Sequence, residues 1–388
     1  MTYLERGFKK SEFETRTYRA QEMMHNHHLD AIFLTTEPNV RYFSGFFTQF
    51  WESPTRPWFL IIPAAGKPIA VIPEIGASGM AGTWISDIYT WAAPNPSDDG
   101  ISLVAKVLND LPCRHGRIGA TLGIESCIRM PFNNFKELTS KVVNRSFVDI
   151  ATQIHRLRSV KSKAEIEKIR RACEITHKGF SNIPNHARVA QSEREICKQM
   201  RIDMIIEGAD SVMYLIAGSG PDGYNSIIMG PTDRKIKDGD VLIIDTGTVY
   251  DGYFSDFDRN FAFGRPSDAT LRAYKAVYEA TEAGFKAARP GATTTDVFTA
   301  MWSVMETAGS LGNDVGRLGH GLGIQLTEWP SNTAADNTPL VPGMVITLEP
   351  GMTYAPGKSM VHEENIVITE TGAEYLSKRC SPELIIID

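Results

Sequence analysis

Acidic residues cluster in a stretch that otherwise has the composition of buried strands. In Val241–Asn260, Asp245 ends an apolar run, while Asp256 and Asp258 follow a Gly-containing turn at 250–252. This pattern is typical of a β-hairpin, and side chains two apart on a strand share a face. Clustered carboxylates repel one another unless a cation or a proton neutralises them. We therefore expect a divalent metal site; the alternative is a solvated turn whose acids serve solubility.

Residues later in the chain supply further ligand types. His320 lies in a Gly-His-Gly-Leu-Gly sequence, whose glycines let the backbone approach closely. Glu349 follows the apolar run Val345–Leu348, so a buried partner is expected for it. Alternation along the next strand sends one of Glu363 and Glu364 inward and the other outward. Four carboxylates and one imidazole suit two divalent cations such as Mn, Fe, Co or Zn, and the proposed ligands are Asp245, Asp256, His320, Glu349 and Glu363.

Two domains are expected to position these residues, because 388 residues exceed one ordinary core. Residues 1–156 alternate helical and strand patterns, as in an α/β layer. Capping boxes at Ser162–Glu165 and Ser192–Glu195 then begin two long helices. Residues 157–388 predict an α+β domain, in which two helix pairs cover a curved, mostly antiparallel sheet.

Composition excludes several classes of protein. A hydrophobic content of 42% with 22% charged residues is typical of a soluble globular protein. The net charge of −6 argues against a nucleic-acid or anionic-membrane partner. No apolar run approaches the roughly 20 residues of a membrane span, and the first residues lack the apolar core of a secretory signal. Five scattered cysteines without a CxxC pair favour reduced thiols in a cytoplasm.

An aromatic segment interrupts the first domain, in Tyr42–Phe47 and Phe50–Trp58. One interpretation is that these rings pack in the core or at an interface. The other is a lid over a pocket, in which Trp51, Arg56 and Trp58 would contact the substrate. The sequence leaves both interpretations open.

The ligand set, in its order along the chain, resembles the pita-bread metallohydrolase family of aminopeptidase P, prolidase, methionine aminopeptidase and creatinase. Asp245 is followed by Asp256 in GYFSDFDRNF, then by GHGLG, LEPGM and HEEN. The resemblance covers the chain from about Leu157 to its end. Asn39–Phe46 resembles a motif of the N-terminal domain in the creatinase and prolidase branch, which methionine aminopeptidases generally lack. The implied fold is a pita-bread catalytic domain after a creatinase-like N-terminal α/β domain.

The resemblance also implies a role for each ligand. Asp245 would hold one metal through both oxygens, Asp256 and Glu363 would bridge two metals, and His320 and Glu349 would complete the second. A bridging water or hydroxide would be the nucleophile, because the metals lower its pKa. Glu349 would shuttle the proton, and the protein would be a homodimer.

Four positions depart from the pattern of the peptidases. Thr327 replaces a second His seven residues after the metal-binding one, and about Ile228 another His is missing. Asp258 stands where a Thr is usual, and Val361 where an Arg is usual. The lost imidazoles would have donated to a developing oxyanion, each contributing several kcal/mol. Thr327 and Asp258 would replace them, with Asp258 as a general base, an extra ligand or a hydrogen-bond acceptor behind the ligands. His362 is expected to point away from the metals and to be structural.

The sequence thus predicts a cytoplasmic, homodimeric, metal-dependent hydrolase that cleaves a C–N bond in a dipeptide or a small amide-like metabolite. One alternative is a metal-dependent lyase or hydrolase of a small zwitterionic osmolyte similar to dimethylsulfoniopropionate, ectoine or creatine, with Asp258 as the base of the lyase. Another is a metal-free binding protein. Retention of all five ligands argues against the last, since buried carboxylates are costly without a cation.

Overall fold

The computed structural model describes residues 5–54, 56–312 and 316–387, and the chain divides into two compact units, Met1–Leu157 and Arg158–Asp388. The first unit contains a six-stranded mixed sheet. Its strands are β1 (Ala31–Leu34), β2 (Phe59–Pro63), β3 (Ile69–Pro73), β4 (Asp87–Trp91), β5 (Arg117–Ala120) and β6 (Ser146–Asp149), in the order β4-β3-β2-β1-β5-β6. Its helices are α1 (Lys10–His27), α2 (Glu37–Ser44), α3 (Ala77–Ala81), α4 (Ile101–Asp110), α5 (Phe132–Lys141) and α6 (Ala151–Ser159), the last of which crosses the division.

The core of the first unit lies between the sheet and α4. Every side chain of β1 is buried, as expected for a central strand that pairs in parallel with β5 and antiparallel with β2. Val104 and Leu108, four residues apart on α4, pack with Phe33 and Ile61 of the sheet. The alternating α/β pattern of the sequence is therefore a sheet covered by helices.

The aromatic segment packs within this unit. Trp58 is 1% exposed, and its ring lies 5.2 Å from that of Phe46. A Cβ at Gly76 would come within 2.2 Å of the Trp58 ring, so this contact requires glycine. Trp51 is 8% exposed beneath the guanidinium of Arg129. Packing explains the position of both indole rings, and a role for their N–H groups in substrate binding stays a prediction.

The second unit contains two larger sheets and two separate hairpins, where the sequence predicted one curved sheet. The first sheet has the order β19-β11-β8-β7 and the second has the order β13-β12-β14-β17-β18. The strands are β7 (Leu215–Pro221), β8 (Asp240–Thr246), β9 (Val249–Tyr250), β10 (Tyr253–Phe254), β11 (Phe257–Phe263), β12 (His320–Gly321), β13 (Glu328–Ser331), β14 (Val345–Leu348), β15 (Gly351–Ala355), β16 (Lys358–Val361), β17 (Glu364–Ile368), β18 (Ala373–Tyr375) and β19 (Ile385–Ile387). Among the described strands of this unit, β19 alone pairs in parallel, with β11.

Two helix pairs accompany these sheets, namely α7 (Lys163–His186) with α8 (Glu193–Ile206) and α9 (Asp268–Ala287) with α10 (Thr294–Thr307). The capping boxes predicted at Ser162 and Ser192 are both formed. Thr176 of α7 hydrogen-bonds Ser255 at 2.8 Å, which fixes the loop just before Asp256. Helix α7 therefore supports the acidic hairpin from behind. No helix in the described part of the chain has the length and apolar character to cross a membrane.

Candidate metal centre

The acidic hairpin supplies three carboxylates to one face. Asp245 on β8 is paired directly with Asp258 on β11, and residues opposite each other in an antiparallel pair share a face. The sequence predicted Asp256 within the second strand of the hairpin, but it lies one residue before β11. The turn between the strands is the small hairpin β9–β10. The sequence pattern therefore identified the face correctly and misplaced only the start of the second strand.

The second sheet supplies His320, Glu349 and Glu363. Leu348 at the end of β14 pairs with Glu364 at the start of β17, so Glu349 and Glu363 lie at the same end of these strands. His320 lies on β12, where a Cβ at Gly319 would come within 2.2 Å of the carbonyl oxygen of Thr347. Gly319 also has φ +125°, which favours glycine. The glycines before and after the histidine thus let β12 lie against β14.

The two groups of ligands meet. Ligand atoms of Asp256, His320 and Glu363 all lie within 4.8 Å of one another, and His320 Nε2 is 3.3 Å from Asp256 Oδ2. His320 Nδ1 lies 2.8 Å from the carbonyl oxygen of Gly321, to which it can only donate. The tautomer with a free Nε2 lone pair is therefore favoured, which is the arrangement common in metal-binding histidines.

Electrostatics show how strongly these carboxylates depend on a counter-charge. Burial and then the charge of Asp256 raise the pKa of Asp245 and of Glu363 well above the usual range. Burial raises the pKa of Glu349 to about 7, although His320 opposes the rise. Burial also raises the pKa of Asp258 well above the usual range, although Arg259 opposes it. Without a cation the site therefore takes up protons.

Three oxygen atoms of the site indicate that a metal fits. Asp245 Oδ1, Asp258 Oδ1 and Glu363 Oε1 are buried and have no hydrogen-bond partner among the described residues. Native proteins rarely leave buried carboxylate oxygens unpaired unless a metal or water satisfies them. Oxygen-rich donors with one imidazole match the preferences of divalent first-row metals. The residues present therefore fit divalent metal ions.

Two side chains that the sequence analysis missed hold the sheets together at this point. Asn365 of β17 accepts from the backbone N–H of Asp256 at 3.0 Å and donates to its carbonyl oxygen. Arg259 of β11 donates to the carbonyl oxygen of Glu363 at 2.9 Å and to the carboxylate of Glu364 at 3.0 Å. Asn365 thus holds Asp256 against the second sheet, and Arg259 holds the segment with Glu363 against the first sheet. Both act as positioning residues. The sequence signal for these contacts is that Asn365 and Arg259 lie next to proposed ligands, in HEEN and DFDRN.

Tyr214, just before β7, was also missed. Its hydroxyl donates a hydrogen bond to Asp256 Oδ1. Burial, followed by the negative charges of Asp256 and Asp245, raises the pKa of Tyr214 well above its usual value. The phenol therefore stays protonated and orients the carboxylate of Asp256. Nothing in the local sequence around Tyr214 indicates this contact.

The remaining predicted residues fall outside the ligand cluster. Thr327 is exposed, and its hydroxyl lies 3.4 Å from Nη2 of Arg317. His362 points away from the ligands, as predicted, with Nδ1 2.7 Å from Thr281 and Nε2 2.7 Å from Cys380. Glu364 does not reach solvent as strand alternation suggested. It is fully buried, because Arg259 neutralises it.

A buried ion-pair triad supports the strand next to His320. Glu328 of β13 is the strand partner of Gly321. Its carboxylate forms ion pairs with Lys161, at 3.0 Å, and with Arg158, and all three side chains are at least nine-tenths buried. Burial alone would raise the pKa of Glu328, but Arg158 and Lys161 outweigh it and lower that pKa to about 2. The carboxylate of Glu328 therefore stays ionised at any pH well above 2.

We predict that the chelator-treated protein loses stability as the pH rises. The pKa of Glu349 is about 7 in the folded chain and about 4.5 when unfolded, so its contribution is full below pH 4.5 and is lost through pH 7. At about 1.4 kcal/mol per pH unit, this amounts to on the order of 3 kcal/mol. Asp245, Asp258 and Glu363 act with the same sign.

Thermal unfolding at pH 5 and pH 8, with and without chelator, measures this effect. Glu349→Gln is the control, because its chelated form should show a flatter dependence on pH. Equal stability of the chelated wild-type protein at both pH values would contradict the electrostatic description of the site.

Comparison with known proteins agrees with this geometry. The pattern of metallopeptidase family M24 matches residues 167–370, and that of the creatinase/prolidase N-terminal domain matches residues 16–160. A probable dipeptidase PepE of Mycobacterium bovis is 31% identical over 84% of this chain and 85% of its own. An Xaa-Pro dipeptidase of Pyrococcus horikoshii is 29% identical over 92% of this chain and 95% of its own.

Solved structures give the same result. The dipeptidase PepE of Mycobacterium ulcerans superposes with a TM-score of 0.86 at 28% identity, covering 98% of this chain and 99% of its own. A prolidase of Thermococcus sibiricus gives 0.87 at 26% identity, covering 98% and 100%. The resemblance and the fold class inferred from the ligand motifs are thereby confirmed. The chain belongs to metallopeptidase family M24 and is a metal-dependent hydrolase of the aminopeptidase P and prolidase type with a creatinase-like N-terminal domain.

Proposed function

We propose that this protein is a dipeptidase that hydrolyses the C–N bond of Xaa-Pro-type dipeptides at a centre of two divalent ions, with Mn, Fe, Co and Zn as the candidate metals. The cluster of Asp256, His320 and Glu363, with unpaired buried oxygens on Asp245 and Glu363, carries this proposal. Strand pairing places Asp245 on the acidic hairpin and Glu349 at the same strand end as Glu363. The names of the PepE and Xaa-Pro dipeptidase relatives support the choice of substrate. Divalent ions at this site would polarise the scissile carbonyl and make water nucleophilic near neutral pH.

The chain's own residues have separate tasks in this proposal. Glu349 takes the proton from the attacking water and passes it to the leaving amine, first as a general base and then as a general acid. Asp256 and Glu363 would hold the metal ions, and Tyr214 and Asn365 hold Asp256 in place. The exposed hydroxyl of Thr327 is a candidate donor to the substrate.

Asp258 supports a second candidate function. Its carboxylate faces the ligands, is 1% exposed and has an unpaired Oδ1, so a proton can be accepted there. In a small zwitterionic osmolyte, such a base would abstract a proton next to a carboxylate and start an elimination. The second candidate is thus a metal-dependent lyase or hydrolase of a dimethylsulfoniopropionate-, ectoine- or creatine-like compound.

The aromatic segment of the first unit is proposed to bind substrate through its polar atoms. Trp51 Nε1, Trp58 Nε1 and Arg56 Nε are buried without a hydrogen-bond partner among the described residues. Three unpaired donors within eight residues support a ligand with acceptor oxygens. Trp58→Phe keeps the packing while removing one donor, so we expect a higher KM with unchanged metal content.

The assembly proposed is a homodimer in the cytoplasm. Exposed apolar side chains of the second unit, such as Ile206, Met213 and Ile228, support an interface. The five cysteines are free thiols, in keeping with a reducing compartment. Light scattering on the purified protein tests the dimer.

A substrate panel tests the function. Metal-loaded protein is incubated with Xaa-Pro dipeptides, with dipeptides lacking proline and with small osmolyte-type amides and sulfonium compounds, and products are identified by mass spectrometry. The proposal expects free proline from the first group. Elimination products from the osmolytes, without dipeptide cleavage, would instead establish the second candidate.

We expect Asp258→Asn to lower kcat by about 10²–10⁴-fold if Asp258 accepts a proton during the reaction. Metal content should stay unchanged, because Asp258 is not among the five ligands. The chelated variant should be at least as stable as chelated wild type, since a repelled buried carboxylate is removed. A loss of metal would assign Asp258 as a ligand, and an unchanged kcat would exclude it as a base.

A further inference from the structure

Arg317 is a cation near the metal centre that the ligand set does not explain. It lies three residues before His320, and its recorded hydrogen bond runs from Nη2 to the Thr327 hydroxyl, at 3.4 Å. Among the described residues, no carboxylate forms an ion pair with it. A half-buried guanidinium with one weak neutral partner has most of its five N–H donors free for a ligand.

The backbone fixes Arg317 next to two metal ligands. Its neighbour Leu318 accepts from the backbone N–H of Glu349 at 3.1 Å and donates to the carbonyl oxygen of Asn332 at 2.8 Å. Arg317 is therefore one residue from a direct backbone contact with Glu349 and three residues from His320.

The many carboxylates of the site give the positive charge of Arg317 a possible function in substrate binding. The ligand set contains four carboxylates, whose charge two divalent ions would balance, and Asp258 is a fifth acid on the same face. A substrate carboxylate that enters beside these acids gains from a cation of the protein. A guanidinium offers paired N–H donors that match the two oxygens of a carboxylate, with charge-assisted hydrogen bonds about twice as strong as neutral ones.

We propose that Arg317, steadied by Thr327, binds a carboxylate of the substrate and restricts this site to substrates with a free carboxylate near the scissile bond. The inference deepens the proposed function and rests on it for the position of the reacting bond. Arg317 is then a specificity-determining residue, and Thr327 acts through it rather than on the reacting atoms. Thr327 stands where the related peptidases have a second histidine. In this proposal its function is to hold the guanidinium of Arg317 in place.

Kinetics with matched substrates separate this role from simple charge balance. The dipeptide Ala-Pro and its C-terminal amide are compared in wild type, Arg317→Met and Arg317→Lys. A hydrogen bond to a charged group contributes about 1.5–3 kcal/mol, so Arg317→Met should raise KM for the free acid by about 10–100-fold and leave the amide unchanged. Arg317→Lys should fall between. Thr327→Val should act in the same direction but more weakly.

A matched control removes an arginine away from the site. Arg272 is exposed on α9, so Arg272→Met should alter neither substrate. If Arg317 only balances the charge of the ligands, Arg317→Met will change metal content or affect acid and amide alike. Either result overturns the proposal.

Calorimetry supplies a readout that does not need turnover. L-proline and L-prolinamide are titrated into metal-loaded wild type and Arg317→Met. We expect wild type to prefer proline and the variant to lose that preference. If the protein cleaves no dipeptide but wild type still prefers proline and Arg317→Met does not, the proposed peptidase function is refuted. Arg317 then remains the carboxylate-binding residue. A wild-type protein that prefers the free acid in neither assay contradicts the inference.

Discussion

Replacing Asp256 by Asn is expected to weaken metal binding more than about 100-fold and to lower kcat/KM at least about 1000-fold. Asp256 Oδ2 lies 3.3 Å from His320 Nε2, and Asp256 is a proposed bridge between the metal ions. Neutral Asn cannot bridge two cations, and loss of a Lewis acid removes several kcal/mol of transition-state stabilisation. Metal content by mass spectrometry and steady-state kinetics measure the two effects.

The same variant should not be less stable when chelated. Asp256 raises the pKa of Asp245 and of Glu363, after burial, so its removal relieves repulsion in the empty site. Asp233→Asn is the matched control, because Asp233 is an exposed acid that pairs with the exposed Arg194. Retained metal in Asp256→Asn would show that the centre is held by other residues.

Replacing Glu328 by Gln is expected to lower the free energy of unfolding by about 3–5 kcal/mol. The change keeps the shape of the side chain but removes the carboxylate that pairs with Arg158 and Lys161, and removal of one partner from a buried ion pair is strongly destabilising. At roughly 2–4 °C per kcal/mol for a unit of this size, Tm should fall by about 6–20 °C. Denaturant and thermal unfolding measure this effect.

Glu374→Gln is the control for this experiment. Glu374 pairs with Arg170 at 3.0 Å on the surface, where its side chain is 54% exposed, so its removal should cost at most about 1 kcal/mol. We also expect Glu328→Gln to reduce metal affinity, because Glu328 is paired with Gly321 beside His320. Equal effects of the two variants would mean that the triad contributes no more than a surface pair.

Several of the proposed ligands stand out in the sequence, because Asp245 and Glu349 follow strongly apolar runs, where a carboxylate is anomalous, and His320 lies between glycines. The helix starts at Ser162 and Ser192 were predictable because a capping box is a local motif. Asn365, Tyr214 and Arg317 were not predictable in the same way. Their contacts join segments far apart in the chain, and nothing in their local sequence specifies the partner.

The errors have physical causes of the same kind. Strand alternation placed Glu364 outward, but the buried Arg259 from another strand makes a buried carboxylate favourable. The sequence left open where the indole of Trp58 packs, and the contact with Gly76 decides this inside the first unit. In both cases a tertiary partner decided the environment of a side chain whose local pattern was ambiguous.

Anomalous diffraction from crystals grown with Co²⁺ or Mn²⁺ tests the central claim most directly. The account predicts strong peaks between the carboxylates of Asp245, Asp256, Glu349 and Glu363 and Nε2 of His320, with two peaks if the centre is dinuclear. The same crystals contain a second group of possible ligands, His362, Glu364 and Cys380, which Arg259 and Arg379 should keep free of cations. Peaks only at that second group, or none at the first, would contradict the assignment of the metal centre.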